Sequence, residues 1–205
     1  KGYSKVKEVT KLVVKSTAME ISKHGYFVFI PDEQSKYFEK NGKLKEEYKN
    51  YPEPREFDDG RLGWTIGAHK DKNGNLVVIF NQSQDLASAQ DYFDNGNRTI
   101  LKAVANNETL RSNKYKTSDK LGNSIMEDGM NYKNNNENGI APKYFGLGFG
   151  LGRNCNSWTN KIADRQKVTN FKKDMPGIDI GDFGEIDDLY FKKIESKSDG
   201  KNEKK

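Results

Sequence analysis

An α+β domain with helices packed on an antiparallel sheet is the fold class this sequence predicts, and three observations predict it. Two apolar runs, 62–69 (LGWTIGAH) and 76–81 (LVVIFN), flank a polar stretch containing Asn73-Gly74, the strongest short hairpin signal. A third run, 25–30 (GYFVFI), is rich in aromatics and closed by Pro31-Asp32, so it reads as a buried strand. Segments with helical character surround these strands, so the three form an antiparallel meander with helices against it.

The remaining elements follow in chain order. Residues 9–23 predict a helix, because Leu12, Val13, Ala18, Met19 and Ile21 give an apolar face and His24-Gly25 ends it. Residues 34–60 are charged, hold Pro52 and Pro54, and read as a long excursion with a short helix near Glu46. Residues 85–94 and 99–106 read as helical pieces. Residues 112–139 are rich in Asn, Lys and Asp and read as a mobile loop. A glycine-rich strand, 144–152, leads into a helix over 156–165. Residues 176–187 (PGIDIGDFGEID) read as a compact turn segment, and the charged tail 192–205 as disordered.

The chain has 205 residues, 33% hydrophobic and 32% charged, which suits one domain over 1–191 with long polar loops. The net charge of +5 follows a general lysine richness. No stripe of alternating basic and aromatic residues accompanies it, which argues against a nucleic-acid partner. One cysteine excludes an internal disulfide. No apolar run reaches the length of a membrane span. The sequence begins at Lys1 without Met, as an excised domain or a processed product would.

Chemistry concentrates in 143–161, KYFGLGFGLGRNCNSWTNK. Gly146, Gly148, Gly150 and Gly152 recur with a period of two, so in an extended chain they share one bare face. Gly148, Gly150 and Gly152 could then wall a groove, or the face could simply pack against a neighbouring element. The spacing fits neither a phosphate loop nor a dinucleotide fingerprint. Asn154 and Asn156 are good N-cap residues, which puts Cys155 in the first turn of a helix. There the helix dipole and the first N–H groups favour a thiolate and can hold an oxyanion. A lone cysteine is otherwise a small buried hydrophobe.

A thiolate needs a base, and the chain has two histidines. His24 opens the first strand and His69 closes the second, so antiparallel pairing brings both to one end of the sheet. A one-residue slip would send His69 to the other face. His69, Thr65 and Asn81 are the candidates to orient the base. No spacing suggests a metal site or another cofactor. Asp182, Glu185, Asp187 and Asp188 read as a solvated acidic turn, and Trp64 and Trp158 as core.

The order of these motifs, HGYFVFIPD, then WTIGAHKDKNG, then NCNSW opening a late helix, resembles the circularly permuted papain-like hydrolases. Relatives in that superfamily include NlpC-type amidases, PPPDE deubiquitinases and the lecithin:retinol acyltransferase group. More narrowly, HGYFVFIPD, GWTIGAHKDKNGNLV, GRNCNSW and PGIDIG look similar to C-terminal domains of bacterial Rhs-type repeat proteins and related polymorphic toxins. The resemblance implies a permuted papain-like fold, with Cys155 as nucleophile and His24 as base. It also implies an amide or ester substrate, an immunity protein as partner and a secreted or delivered effector. A catalytically inactive binding module of the same fold is the second reading. A basic toxin aimed at nucleic acid is the third.

Overall fold

The computed structural model describes residues 9–14, 22–57, 60–95, 104–105, 110–145, 153–169 and 185–194. The elements are β1 (Val9–Val14), β2 (Ser22–Phe29), α1 (Gln34–Tyr37), a 3-10 turn (Glu46–Tyr48), β3 (Arg55–Glu56), β4 (Leu62–Lys70) and β5 (Leu76–Phe80). They continue as α2 (Ser83–Asn95), β6 (Val104–Ala105), α3 (Ser118–Glu137), α4 (Cys155–Arg165) and a 3-10 turn (Asp188–Phe191). The strands run β3-β4-β2-β1-β6, with β5 also paired to β4, and every pairing is antiparallel. The α+β class and the meander β2-β4-β5 therefore stand.

The meander takes its register from its turn. Asp71 accepts from the N–H groups of Asn73 and Asn75, and Gly74 takes φ +77°, a conformation that costs glycine little. The pairing Tyr26↔Gly67 through Phe29↔Trp64 then fixes β2 against β4. Extended by two pairs beyond its last bridge, that register sets His24 opposite His69.

Side chains of β2 sort by parity, as a two-residue period requires. Phe27 and Phe29 join a large core with Trp64, Ile66 and Ala68 of β4. Leu121, Ile125, Met126 and Tyr132 of α3 and Trp158 and Ile162 of α4 complete it. Tyr26 and Val28, with Ile30 just beyond the strand, face the other way into a smaller core with Phe57 and Ala89 of α2. Trp64 and Trp158 are fully buried. The excursion after β2 serves Trp64: Phe38 and Tyr51 pack on its ring, and its indole N–H donates to the Pro52 carbonyl at 2.7 Å.

Three expectations are corrected. Residues 9–14 form β1 and the run from Ser22 begins β2, so no helix spans 9–23. The segment VTKLVV is dominated by β-branched residues, and pairing along β2 outweighs its loose helical periodicity. Likewise Val104–Ala105 is a short strand on β1, not part of a helix over 99–106. The largest correction is at 112–139, where α3 runs for 20 residues. Thr117 caps it by accepting from the Lys120 N–H, and Leu121, Ile125, Met126 and Tyr132 form one apolar stripe. At Gly122 a Cβ would overlap the Phe29 ring, so this glycine lets α3 lie directly on the sheet. Lys192 carries its carbonyl to Asn135. The tail beyond 194, residues 146–152 of the strand expected over 144–152 and most of 176–187 lie outside the described residues.

Candidate active site

Three elements converge where the β2–β4 ladder ends. β2 supplies His24 and β4 supplies His69; α2, packed across β4, supplies Asp85 from its first turn. His24 Nε2 lies 3.0 Å from Asp85 Oδ1, and His69 Nε2 lies 2.8 Å from Asp85 Oδ2. The two imidazoles are 4.6 Å apart between ring centres and retain 13% and 14% exposure, while the carboxylate is fully buried. One buried carboxylate thus sits between two histidines at the rim of the sheet.

Gly67 makes room for this arrangement. A Cβ there would stand 2.6 Å from Asp85 Oδ2 and 3.0 Å from His69 Nε2. The glycine sits on the same side of β4 as His69, two residues away, and its missing side chain is the space the carboxylate occupies.

Cys155 approaches from the opposite layer. It is the first residue of α4, which packs on β2 and β4 from the side of the large core. His24 shares its parity with Tyr26, whose ring lies parallel to it at 5.9 Å, so its imidazole belongs to the α2 side. Between them Gly25 offers no side chain toward α4, and the hydrogen-bonded ladder to β4 stops at Tyr26. There the side chains of His24 and Cys155 interact. Nε2 faces Asp85, which leaves Nδ1 as the nitrogen available to another partner. The order of contacts is Cys155, His24, Asp85, His69.

The electrostatics follow. Burial works against a charge on His24, but hydrogen bonds with Asp85 and Cys155 outweigh it and push its pKa from 6.5 up to about 10. Burial also opposes a charge on Asp85, and its bonds to His24 and His69 reverse that, holding it below the ordinary carboxylate value. Tyr144 also feels Cys155: burial first, then the sulfur's charge, push its phenol up to about 12. Its N–H donates to the Gly74 carbonyl at 2.9 Å, and the next residue, Phe145, donates to the Arg153 carbonyl at 2.9 Å. Those bonds hold Tyr144 beside the start of α4.

The expected N-terminal asparagines divide. Asn154 is the cap: its Oδ1 accepts from the N–H groups of Asn156 at 2.9 Å and Ser157 at 3.2 Å. The Ser157 hydroxyl accepts in return from the Asn154 N–H at 3.2 Å, completing a capping box. These bonds fix Cys155 at the first helical position. They also engage the Asn156 and Ser157 N–H groups within the cap. Gly148, Gly150 and Gly152 lie outside the described residues.

Of the candidates to orient the base, His69 is in the cluster but binds Asp85 rather than His24. Thr65 and Asn81 are elsewhere: the Thr65 N–H donates to Asn81 Oδ1 at 3.0 Å, and Asn81 Nδ2 donates to the Glu53 carbonyl. Sequence reasoning missed Asp85, which it saw only as the start of a helix. The available signal was a lone acidic residue in the first turn of a helix following two His-bearing strands. In the acidic turn, Asp188 pairs with Lys161 and Arg165, and Glu185 with Lys161, so part of it is tied to α4.

Among the described residues no helix is long and apolar enough to cross a membrane. No protein-family model, curated protein or solved structure matches the chain.

Proposed function

We propose that this domain is a cysteine hydrolase or acyl-transfer enzyme of the permuted papain-like kind, acting on an amide or ester carbonyl. The observation that carries the reading is His24 held between Cys155 and a buried Asp85. Cys155 attacks the carbonyl carbon, forming a carbon–sulfur bond while the carbonyl electrons move to oxygen. His24 then gives its proton to the departing amine or alcohol as the tetrahedral adduct collapses to a thioester. A water, deprotonated by His24, releases the acyl group and restores the thiol pair. Asp85 touches no reacting atom in this scheme. It is a positioning residue that fixes the ring and supports its positive charge, as the third member of such a triad does. The likeness of the motifs to C-terminal domains of Rhs-type proteins supports reading the enzyme as a delivered bacterial effector held in check by an immunity protein.

The test is selective alkylation. Iodoacetamide should modify Cys155 in the folded chain faster than a free thiol of small molecules at neutral pH, and His24→Ala should slow it. A rate no greater than that of a buried, unassisted cysteine, unchanged in His24→Ala, would remove the enzymatic reading and leave a binding module.

A further inference from the structure

His69 has no role in the scheme above, and its placement asks for one. We infer that His24, His69 and Asp85 form a binding site for one borderline divalent transition-metal ion, of which Zn2+ is the probe. The inference stands whether or not Cys155 is a nucleophile.

The three side chains each offer one ligand atom, and these atoms all lie within 4.8 Å of one another. Zinc bonds to imidazole nitrogen and carboxylate oxygen of about 2.0–2.2 Å place two ligand atoms on one ion roughly 3–4 Å apart. The cluster is therefore near the required spacing before any side chain moves. Both histidines already direct Nε2 toward the carboxylate, at 3.0 and 2.8 Å. An ion that replaces the shared protons meets nitrogen lone pairs aimed at the same place. Two imidazoles and one carboxylate suit zinc, copper, nickel or iron better than calcium or magnesium, which seek oxygen.

The surroundings favour a built site over a chance grouping. The ligands come from β2, β4 and α2, three elements fixed by sheet register and packing. Asp85 is fully buried and the imidazoles are 13% and 14% exposed, so the carboxylate is dry while the rim admits an ion. Gly67 leaves the space in which the carboxylate turns. Occupancy takes His24 Nε2 away from its hydrogen bond with Asp85, so an ion here competes with the arrangement that orients His24 toward Cys155.

The experiment is calorimetric titration of the chelator-treated full chain with Zn2+. One ion per chain is expected. His69→Gln and Asp85→Asn, both checked for folding by circular dichroism, should each weaken binding by at least about tenfold, the lower end of what even outer-shell partners contribute. Cys155→Ala should retain the single site, since the sulfur is not one of the three ligands. The inference is overturned by a wild-type chain that does not bind one Zn2+. It is equally overturned by His69→Gln and Asp85→Asn binding as tightly as wild type, or by Cys155→Ala alone abolishing the site. Alkylation kinetics read the cysteine chemistry separately, so failure of one reading leaves the other distinguishable.

Discussion

Two buried carboxylates of this domain, Asp85 on α2 and Asp128 on α3, are neutralised by different means. Asp128 is held in a fork by Arg165, with Nε on Oδ2 and Nη2 on Oδ1, both at 2.9 Å. Gln166 adds a third bond to it. Arg165 also reaches Asp188 at 2.6 Å and lies over the Phe191 ring. Its guanidinium is protonated at every accessible pH, so this cluster is a permanent clamp joining α3, α4 and the last turn. Asp85 instead has two imidazoles, which unlike a guanidinium can give up a proton and present a nitrogen lone pair. Burial makes the same demand at both places. Permanent partners make a structural joint, and titratable partners make a place where protons or metal ions can exchange.

The comparison breaks first at Cys155. Cys155→Ala should abolish acyl transfer and alkylation while costing about 1–2 kcal/mol of stability, since only a sulfur is lost from a site 7% exposed. Chemical denaturation and mass spectrometry of the alkylated chain read both quantities. A variant that stays active would place the chemistry elsewhere.

Asp85→Asn should lower acyl-transfer activity by about 100-fold, the scale at which a positioned base acts. It should also move the titration of His24, followed by NMR, down from about 10 toward 6.5. An unmoved titration would show that Asp85 does not support the imidazolium.

Asp128→Ala is the matching change in the other cluster. It strands Arg165 and Gln166 and should cost about 3 kcal/mol, the lower end for breaking a buried pair, because Asp188 remains. The rate of Cys155 alkylation in the folded protein should not change. If the rate falls with stability, the two clusters are coupled and the contrast is lost. Gly67→Ala sharpens the same contrast from the backbone, because its Cβ competes with Asp85 Oδ2 for one space. A loss of about 1–3 kcal/mol is expected from overpacking, together with slower alkylation.

Stability should also depend on pH. His24 has a raised pKa when folded, so its contribution is fully present below 6.5 and is lost as pH rises toward about 10. Asp85 has a lowered one, so its contribution is present above 3.8 and is lost as pH falls below that value. The cluster therefore stabilises most between about 4 and 6.5. Urea midpoints across pH 3 to 10 should show both declines in wild type, and in Asp85→Asn both should flatten.

Much of the meander was legible because its signals are local. Asn73-Gly74 with flanking apolar runs specifies the hairpin, and Asn154 marks the start of α4. The misreadings have physical causes too. Residues 9–14 carry both a loose helical period and β-branched side chains, and only an available edge of β2 decides for a strand. In α3 the apolar stripe is thin and the asparagines are many, so composition masked a helix that packing on Phe29 and Ile66 sustains.

The sequence by itself determined which chemical groups were available: one thiol at a capped helix start, two imidazoles at strand ends, and the strand order that carries them. Only the tertiary structure decided that Asp85 joins them, because its place depends on α2 crossing β4 exactly where Gly67 has no side chain. Strand register is set by turns and alternation within short stretches, whereas the meeting of a helix and a strand depends on the packing of surfaces distant in the chain. That is why the histidines could be placed at one end of the sheet from their positions, and their carboxylate could not be placed with them.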